Sequence, residues 1–332
     1  MSNPTISIII ATFNSARTLD FCLRRVREQV YDKNKIEIIV ADGGSKDSTL
    51  KIAKKYGAKI INVNKYKQSA EYNKGVGLKY AKNEIVLFLD HDNILPHKNW
   101  LIKITAPFTK NSKIVGVEPL RFYYDKKMTL LDRYFALLGG SDPVVYYLGK
   151  DSHLSWAFDK YNLLGDAKDL GDYYLVKFSS GKVPALGGNG AALKRKILLK
   201  YAKADPDNFI HTDVVFDLIT SGFNNYGLIK DSIIHLTNNK LIPFLLRRKY
   251  FIEKYQIEQS RKRRYHIYDP QENIMDLIKF ILITLTIVIP LRDSIRGFIK
   301  IKDVAWFIHP FMCLSFLIIY GAVIVKGKGE YA

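Results

Sequence analysis

The chain has 332 residues, enough for one large domain or a domain with an appendage, and its 48% hydrophobic content supports a sizeable core. A formal charge of +19 calls for an anionic partner: nucleic acid, nucleotide phosphates or an anionic membrane surface. The two cysteines, Cys22 and Cys313, lie far apart in the chain; they argue against a disulfide framework and fit a reducing compartment.

The opening MSNPTISIII has no basic segment ahead of its apolar run, so it reads as a first strand and not as a signal peptide. From there, strand and helix patterns alternate. Strands are expected at residues 5–11, 36–41, 59–63, 84–89 and 113–118, and helices at 16–28, 48–56, 69–81 and 98–108. The strand segments are short, nearly continuous Ile/Val runs, as in sheets covered on both faces. This pattern predicts an α/β fold, Rossmann-like, with a mostly parallel sheet flanked by helices. Ligands of such sheets bind at the carboxyl ends of the strands. Those ends carry A-T-F-N (11–14), A-D-G-G-S-K-D-S-T (41–49) and D-H-D-N (90–93). Asp90 and Asp92 stand one residue apart just beyond an apolar strand. Repulsion and desolvation oppose that placement unless the pair is a solvated turn or a cation holds it. A divalent ion with hard oxygen ligands, Mg²⁺ or Mn²⁺, suits two carboxylates.

Residues 121–179 leave the alternation and are rich in aromatic and charged side chains. Further on, eight Lys/Arg fall between residues 247 and 264 against two Glu, followed by apolar runs at about 274–291 and 304–325. The second run is long enough to span a bilayer. The basic block therefore reads as a juxtamembrane anchor on an anionic leaflet; no nucleic-acid module accompanies it. The aromatic and basic residues of 241–264 predict one or two amphipathic helices. Two spans would place the basic segment 292–303 outside the cell, against the positive-inside rule. A re-entrant or interfacial first segment would keep Arg292, Arg296 and Lys300 on the cytoplasmic side. There they would serve as snorkelling anchors or grip a lipid-linked diphosphate.

The ordered motifs S-I-I-I-A-T-F-N (7–14), V-A-D-G-G-S-K-D-S-T (40–49), A-E-Y-N-K-G-V-G through F-L-D-H-D (70–92), G-G-N-G-A-A-L-K-R (187–195) and H-T-D (211–213) resemble a family 2 glycosyltransferase of the GT-A fold, of a membrane-anchored, non-processive type. The resemblance runs from about residue 5 to 236. Two positions depart from it: Gly43 stands where many members carry Asp, and Glu71-Tyr72 replaces a common Ala-Arg. The resemblance implies a nucleotide-diphosphate sugar donor. Thr12, Asn14, Asp42, Asn73 and Asp90 would bind its nucleotide, with Asp42 on the base and Asp90 toward the ribose. Asp90 and Asp92 would hold the metal, Asp92 most directly, with His235 as a third ligand. Asp213 would be the catalytic base, which with a departing diphosphate on the opposite side implies inversion. Gly188, Asn189 and Trp156 would bind the acceptor. Each also has an ordinary role in a turn, a cap or a core. Gly75 and Gly77 read as helix-packing positions.

The expected division is a nucleotide-sugar-binding half at 1–120, an acceptor-binding and catalytic half at 121–240, amphipathic helices at 241–270 and membrane segments at 271–332. The expected enzyme transfers a sugar to a hydroxyl of a lipid-linked or surface glycan, with its catalytic domain on the cytoplasmic face of the cell membrane. A polyprenyl-phosphate glycosyl synthase, whose acceptor needs no base, is the alternative. A sugar nucleotidyltransferase lacks its glycine-rich triphosphate loop here, and a non-catalytic scaffold would not need both Asp90/Asp92 and Asp213.

Overall fold

The computed structural model describes residues 3–237, 240–254, 262–267 and 274–330, with side chains as far as Val323. Part of the expected amphipathic stretch, 255–261, lies outside them. The chain forms two compact units, one of residues 1–123 and 164–236, the other of 124–163 and 237–332.

The first unit begins with four strands separated by helices: β1 (Ile6–Thr12), α1 (Ala16–Arg27), β2 (Ile36–Asp42), α2 (Thr49–Lys55), β3 (Lys59–Asn62), α3 (Ala70–Tyr80) and β4 (Ile85–Asp90). Next come β5 (Asn93–Ile94), α4 (Trp100–Lys110) and β6 (Gly116–Phe122). The second unit takes the chain through α5 (Leu130–Leu138) and α6 (Pro143–Tyr147). The first unit then closes with β7 (Asp166–Asp169), β8 (Tyr173–Lys177), β9 (Ala191–Lys194), α7 (Arg195–Tyr201), α8 (His211–Thr220) and β10 (Asn225–His235).

The sheet order is β3-β2-β1-β4-β9-β6-β10-β8-β7. The run from β3 to β4 is parallel, as the alternating pattern predicts. All seven residues of β1 are buried, which is why it reads as an unbroken apolar run. Beyond β4 the sheet becomes mixed. β9 inserts antiparallel between β4 and β6, β10 runs parallel to β6, and the β7–β8 hairpin adds antiparallel strands at the far edge.

The sheet register places the motif ends together. Thr12 pairs with Asp42 and Ala11 with Asp90, so the ends of β1, β2 and β4 finish level at one edge. β5 pairs with the end of β10, setting Asn93 opposite His235. Gly75 and Gly77 are indeed packing positions. A Cβ at Gly77 would lie 2.6 Å from the Ile9 side chain of β1, and one at Gly75 would lie 2.7 Å from the backbone of Pro206.

The second unit has its own core. Leu131, Tyr134, Phe135 and Leu138 of α5 pack with Phe244 of α9 (Leu241–Ile252), Phe280 of α10 (Ile274–Thr286), Trp306, and Met312 and Phe316 of α12 (His309–Glu330). Asp142, itself buried, pairs with Arg248 at 2.6 Å and accepts a 3.0 Å hydrogen bond from the Tyr320 hydroxyl. Residues Val304–Val323 form one helical stretch long and apolar enough to cross a membrane. The apolar run 274–291 is not a single straight span. It breaks after α10, and α11 (Val288–Lys300) leaves at 77°. Pro290 supplies the reason: it has no N–H to bond the Thr286 carbonyl, and Ile287 adopts a left-handed backbone (φ 60°) at the break.

Candidate active site

Two loops leave the adjoining ends of β1 and β2, and side chains join them. The Asp42 carboxylate accepts four hydrogen bonds: from the Gly44 and Ser45 amides at 2.9 and 2.7 Å, the Ser45 hydroxyl at 2.6 Å and the Thr12 hydroxyl at 2.7 Å. Its lone pairs are thereby filled, and it is 1% exposed. Asp42 is thus seen organising the loop. Asn14, held at φ 50°, takes part in the same joint: its amide donates to the Ser45 hydroxyl and its side-chain oxygen accepts from the Lys46 amide. Asn73, buried on α3, reaches the carbonyls of Thr12 and Ala41 at 3.4 Å. A Cβ at Gly43 would meet the Gln68 side chain at 2.8 Å, so the Asp that many family members carry there has no room.

The turn after β4 holds the paired carboxylates. The Asp90 amide donates to the Asn93 side chain, and the Asp90 carboxylate is 2.8 Å from the ammonium of Lys74. That ammonium is almost wholly buried. Burial pulls its pKa down, but Asp90 and Glu71 push it above the usual lysine value, so it stays charged. The His91 ring turns away to the Thr18 hydroxyl at 2.7 Å, which leaves it a spacer. Asp92 Oδ2 faces His235 Nε2 at 3.6 Å, while its buried Oδ1 has no hydrogen-bond partner among the described residues. Burial pushes the Asp92 carboxyl up, yet His235 and His91 outweigh it and hold the group at about 2. Asp92 and His235 therefore meet as expected, whereas Asp90 is engaged by Lys74. No ready-made cluster of three His, Cys, Asp or Glu ligands exists among the described residues.

Across this turn lies the glycine-rich segment. The Asn189 side-chain oxygen accepts from Asn93 at 3.1 Å, so Asn93 ties the carboxylate turn to this loop. Gly187 sits at φ 103°, where a Cβ would strike the His211 carbonyl at 2.6 Å; only glycine fits both demands. Its amide donates at 2.6 Å to Glu118, a fully buried carboxyl of β6 that burial pushes up to about 8.

The helix α8 starts at His211, so Asp213 lies within its first turn and not before it. Asp213 is fully buried. The N-cap residue Ile210 offers no side-chain cap; Glu71 of α3 supplies it instead, accepting from the His211 amide at 2.8 Å. The other Glu71 oxygen is 2.8 Å from His211 Nδ1, and Lys74 stands 3.9 Å from Glu71. Burial raises the Glu71 pKa, but His211 and Lys74 pull it far below the usual carboxylate range. Glu71, Lys74, Asn93 and His211 were not expected as site residues. The spacing of Glu71 and Lys74, three apart on one helix face, was the available signal. Trp156 lies in the second unit, against that unit's apolar cluster.

Residues 7–163 match the profile of Glycosyl transferase family 2. The chain is 29% identical over 135 residues to Glycosyltransferase AglE of Haloferax volcanii, covering 40% of this chain and 44% of that protein. It is 36% identical over 101 residues to the GalNAc(5)-diNAcBac-PP-undecaprenol beta-1,3-glucosyltransferase of Campylobacter jejuni, covering 28% and 31%. These matches span less than half of either relative's length. The mannosyltransferase PcManGT of Pyrobaculum calidifontis, solved with GDP-Man and Mn2+, superposes with a TM-score of 0.55 at 13% identity, over 100% of this chain and 89% of that one, and so shares the fold. A parallel half continued by a mixed sheet, the motifs gathered at one strand edge and the profile match over residues 7–163 make this chain similar to glycosyltransferases of family 2, and it has the GT-A fold.

Proposed function

We propose that the protein transfers a sugar from a nucleotide-diphosphate donor to a hydroxyl of a lipid-linked or surface glycan, with inversion, at the cytoplasmic face of a membrane. The observation that carries this reading is Asp92. A carboxylate oxygen without a hydrogen-bond partner among the described residues, buried at the carboxyl edge of the sheet and flanked by a histidine, is an unmet demand for a cation. Asp92 and His235, joined by Asp90, would hold Mg²⁺ or Mn²⁺. Such an ion supplies charge neutralisation for the departing diphosphate. The GDP-Man and Mn2+ bound by PcManGT support the same assignment.

The chain's own residues do the rest. Thr12, Asn14, Asp42 and Asn73 hold the loops around the nucleotide in one shape, so the donor meets a formed pocket. Lys74 keeps positive charge beside Asp90, where phosphate oxygens arrive. Asp213, in the first turn of α8, takes the proton of the attacking hydroxyl, and Gly188 and Asn189 let the acceptor approach the backbone. Trp156 is proposed as an acceptor contact. The span Val304–Val323 anchors the protein. At 13 residues, α10 is about 20 Å long, short of the ~30 Å hydrocarbon core, so it dips into the bilayer without crossing it.

The test is release of nucleoside diphosphate from a panel of UDP- and GDP-sugars, with Mn²⁺ or with chelator. Wild type should turn over at least one donor only with metal, and Asp92→Asn should lose that activity. Asp213→Asn should lower kcat on a hydroxyl acceptor about 100-fold or more and leave the donor Kd unchanged. Full activity of Asp213→Asn on a polyprenyl phosphate would instead favour the phosphate-acceptor reading.

A further inference from the structure

His211 is held more firmly than a surface histidine needs to be. Both oxygens of one carboxylate grip it: Glu71 Oε2 accepts its backbone N–H, and Glu71 Oε1 lies 2.8 Å from Nδ1. A carboxylate opposite Nδ1 engages that nitrogen and leaves Nε2 to hydrogen-bond a ligand. The clamp is itself supported. Lys74, buried between Glu71 and Asp90, keeps a compensating charge against the carboxylate.

The free side of the ring faces the glycine-rich segment. A Cβ at Gly188 would come within 3.4 Å of Nε2 and 3.5 Å of Cδ2. Residue 188 therefore borders the imidazole without covering it, and 29% of the His211 side chain is exposed. Asp213 does not share this position: residues two apart on a helix do not face each other, and Asp213 is fully buried. An imidazole with one nitrogen tied to a half-buried carboxylate and the other presented beside a glycine turn is preorganised to hydrogen-bond a single hydroxyl.

We propose that His211 is an acceptor-binding residue whose Nε2 hydrogen-bonds a sugar hydroxyl of the acceptor beside Gly188, and that Glu71 is its positioning residue. The inference rests on the glycosyl-transfer reading above and assigns His211 binding, not proton abstraction. It gives the departure at Glu71 a purpose.

The full chain would be assayed for nucleoside diphosphate release from its best donor, first into water alone and then with octyl glycosides as soluble acceptors. His211→Ala should raise the acceptor KM about tenfold, the worth of one hydrogen bond, while its donor KM and water reaction stay at wild-type values, and Glu71→Gln should raise the acceptor KM by a similar factor. His211→Gln, which can offer an oxygen near the place of Nε2, should recover part of the loss. An acceptor KM within twofold of wild type in both His211→Ala and Glu71→Gln overturns the proposal, as does an equal loss in the water reaction or a wild type that no octyl glycoside stimulates. If His211→Ala fails to fold, Glu71→Gln carries the comparison. Absence of nucleoside diphosphate release by wild type from every sugar donor is a separate outcome, which overturns the glycosyl-transfer reading itself.

Discussion

Glu118 lies at the centre of the first unit with a single hydrogen bond, from Gly187, and its other oxygen has no partner among the described residues. Burial raises its carboxyl from 4.5 to about 8. The folded protein thus keeps a proton that the unfolded chain releases above 4.5. Stability falls as pH rises between those two values and levels off above the upper one. Glu118→Gln keeps an oxygen for the Gly187 amide and removes the titration. It should melt several degrees above wild type at pH 8, with the gap closing toward pH 4.5; parallel melting curves for the two proteins would refute this. None of it was legible in the sequence, where V-G-V-E-P reads as a strand with one polar residue. The same holds for Glu71 and His211, whose meeting across 140 positions is a product of the tertiary fold. Asp90, Asp92 and Asp213 were legible because their motifs sit at strand and helix ends, where local pattern and position coincide.

Among the elements, α3 shows how tightly the parallel half of the sheet is built. Gly77 lets the helix rest directly on Ile9 of β1, and alanine there would force the two apart. Gly77→Ala should be destabilising by about 1–3 kcal/mol, seen as a lower melting temperature, while an unchanged one would mean the helix lifts freely. The first four strands and their helices follow from runs of Ile and Val and from helical spacing, both local signals. β9 does not: it enters between β4 and β6 although it follows β6 by some 70 residues, and no local pattern announces a strand's neighbours. The segment 292–303 is expected to connect two spans or to belong to a re-entrant or interfacial first segment. Most of it is α11, whose basic Arg292, Arg296 and Lys300 share the helix with exposed Val288, Leu291, Ile295 and Ile299.

At the scale of the whole molecule, the +19 charge and the exposed apolar faces of the second unit meet in one expectation. Full-length protein should bind vesicles containing anionic phospholipid more tightly than neutral ones, and added salt should weaken the binding. Exchanging Arg292, Arg296 and Lys300 for Gln should weaken it further, by about fivefold per residue at low salt. Some of that charge is already answered within the unit: Arg292 pairs with Asp293, Lys300 with Asp159, and Arg296 stacks on Phe158. Equal binding to neutral and anionic vesicles would exclude an electrostatic contribution.

The second unit is woven from two separate lengths of chain, 124–163 and 237–332. Trimming the protein after residue 236, the obvious way to remove its apolar C-terminal helices, would strip Phe244, Phe280, Trp306 and Phe316 from Leu131, Phe135 and Leu138 while leaving those three behind. A shortened protein of that kind is expected to aggregate through the orphaned α5 surface. Solubilising the enzyme then becomes a matter of detergent or of polar substitutions on α10 and α11, with both strands of the weave kept.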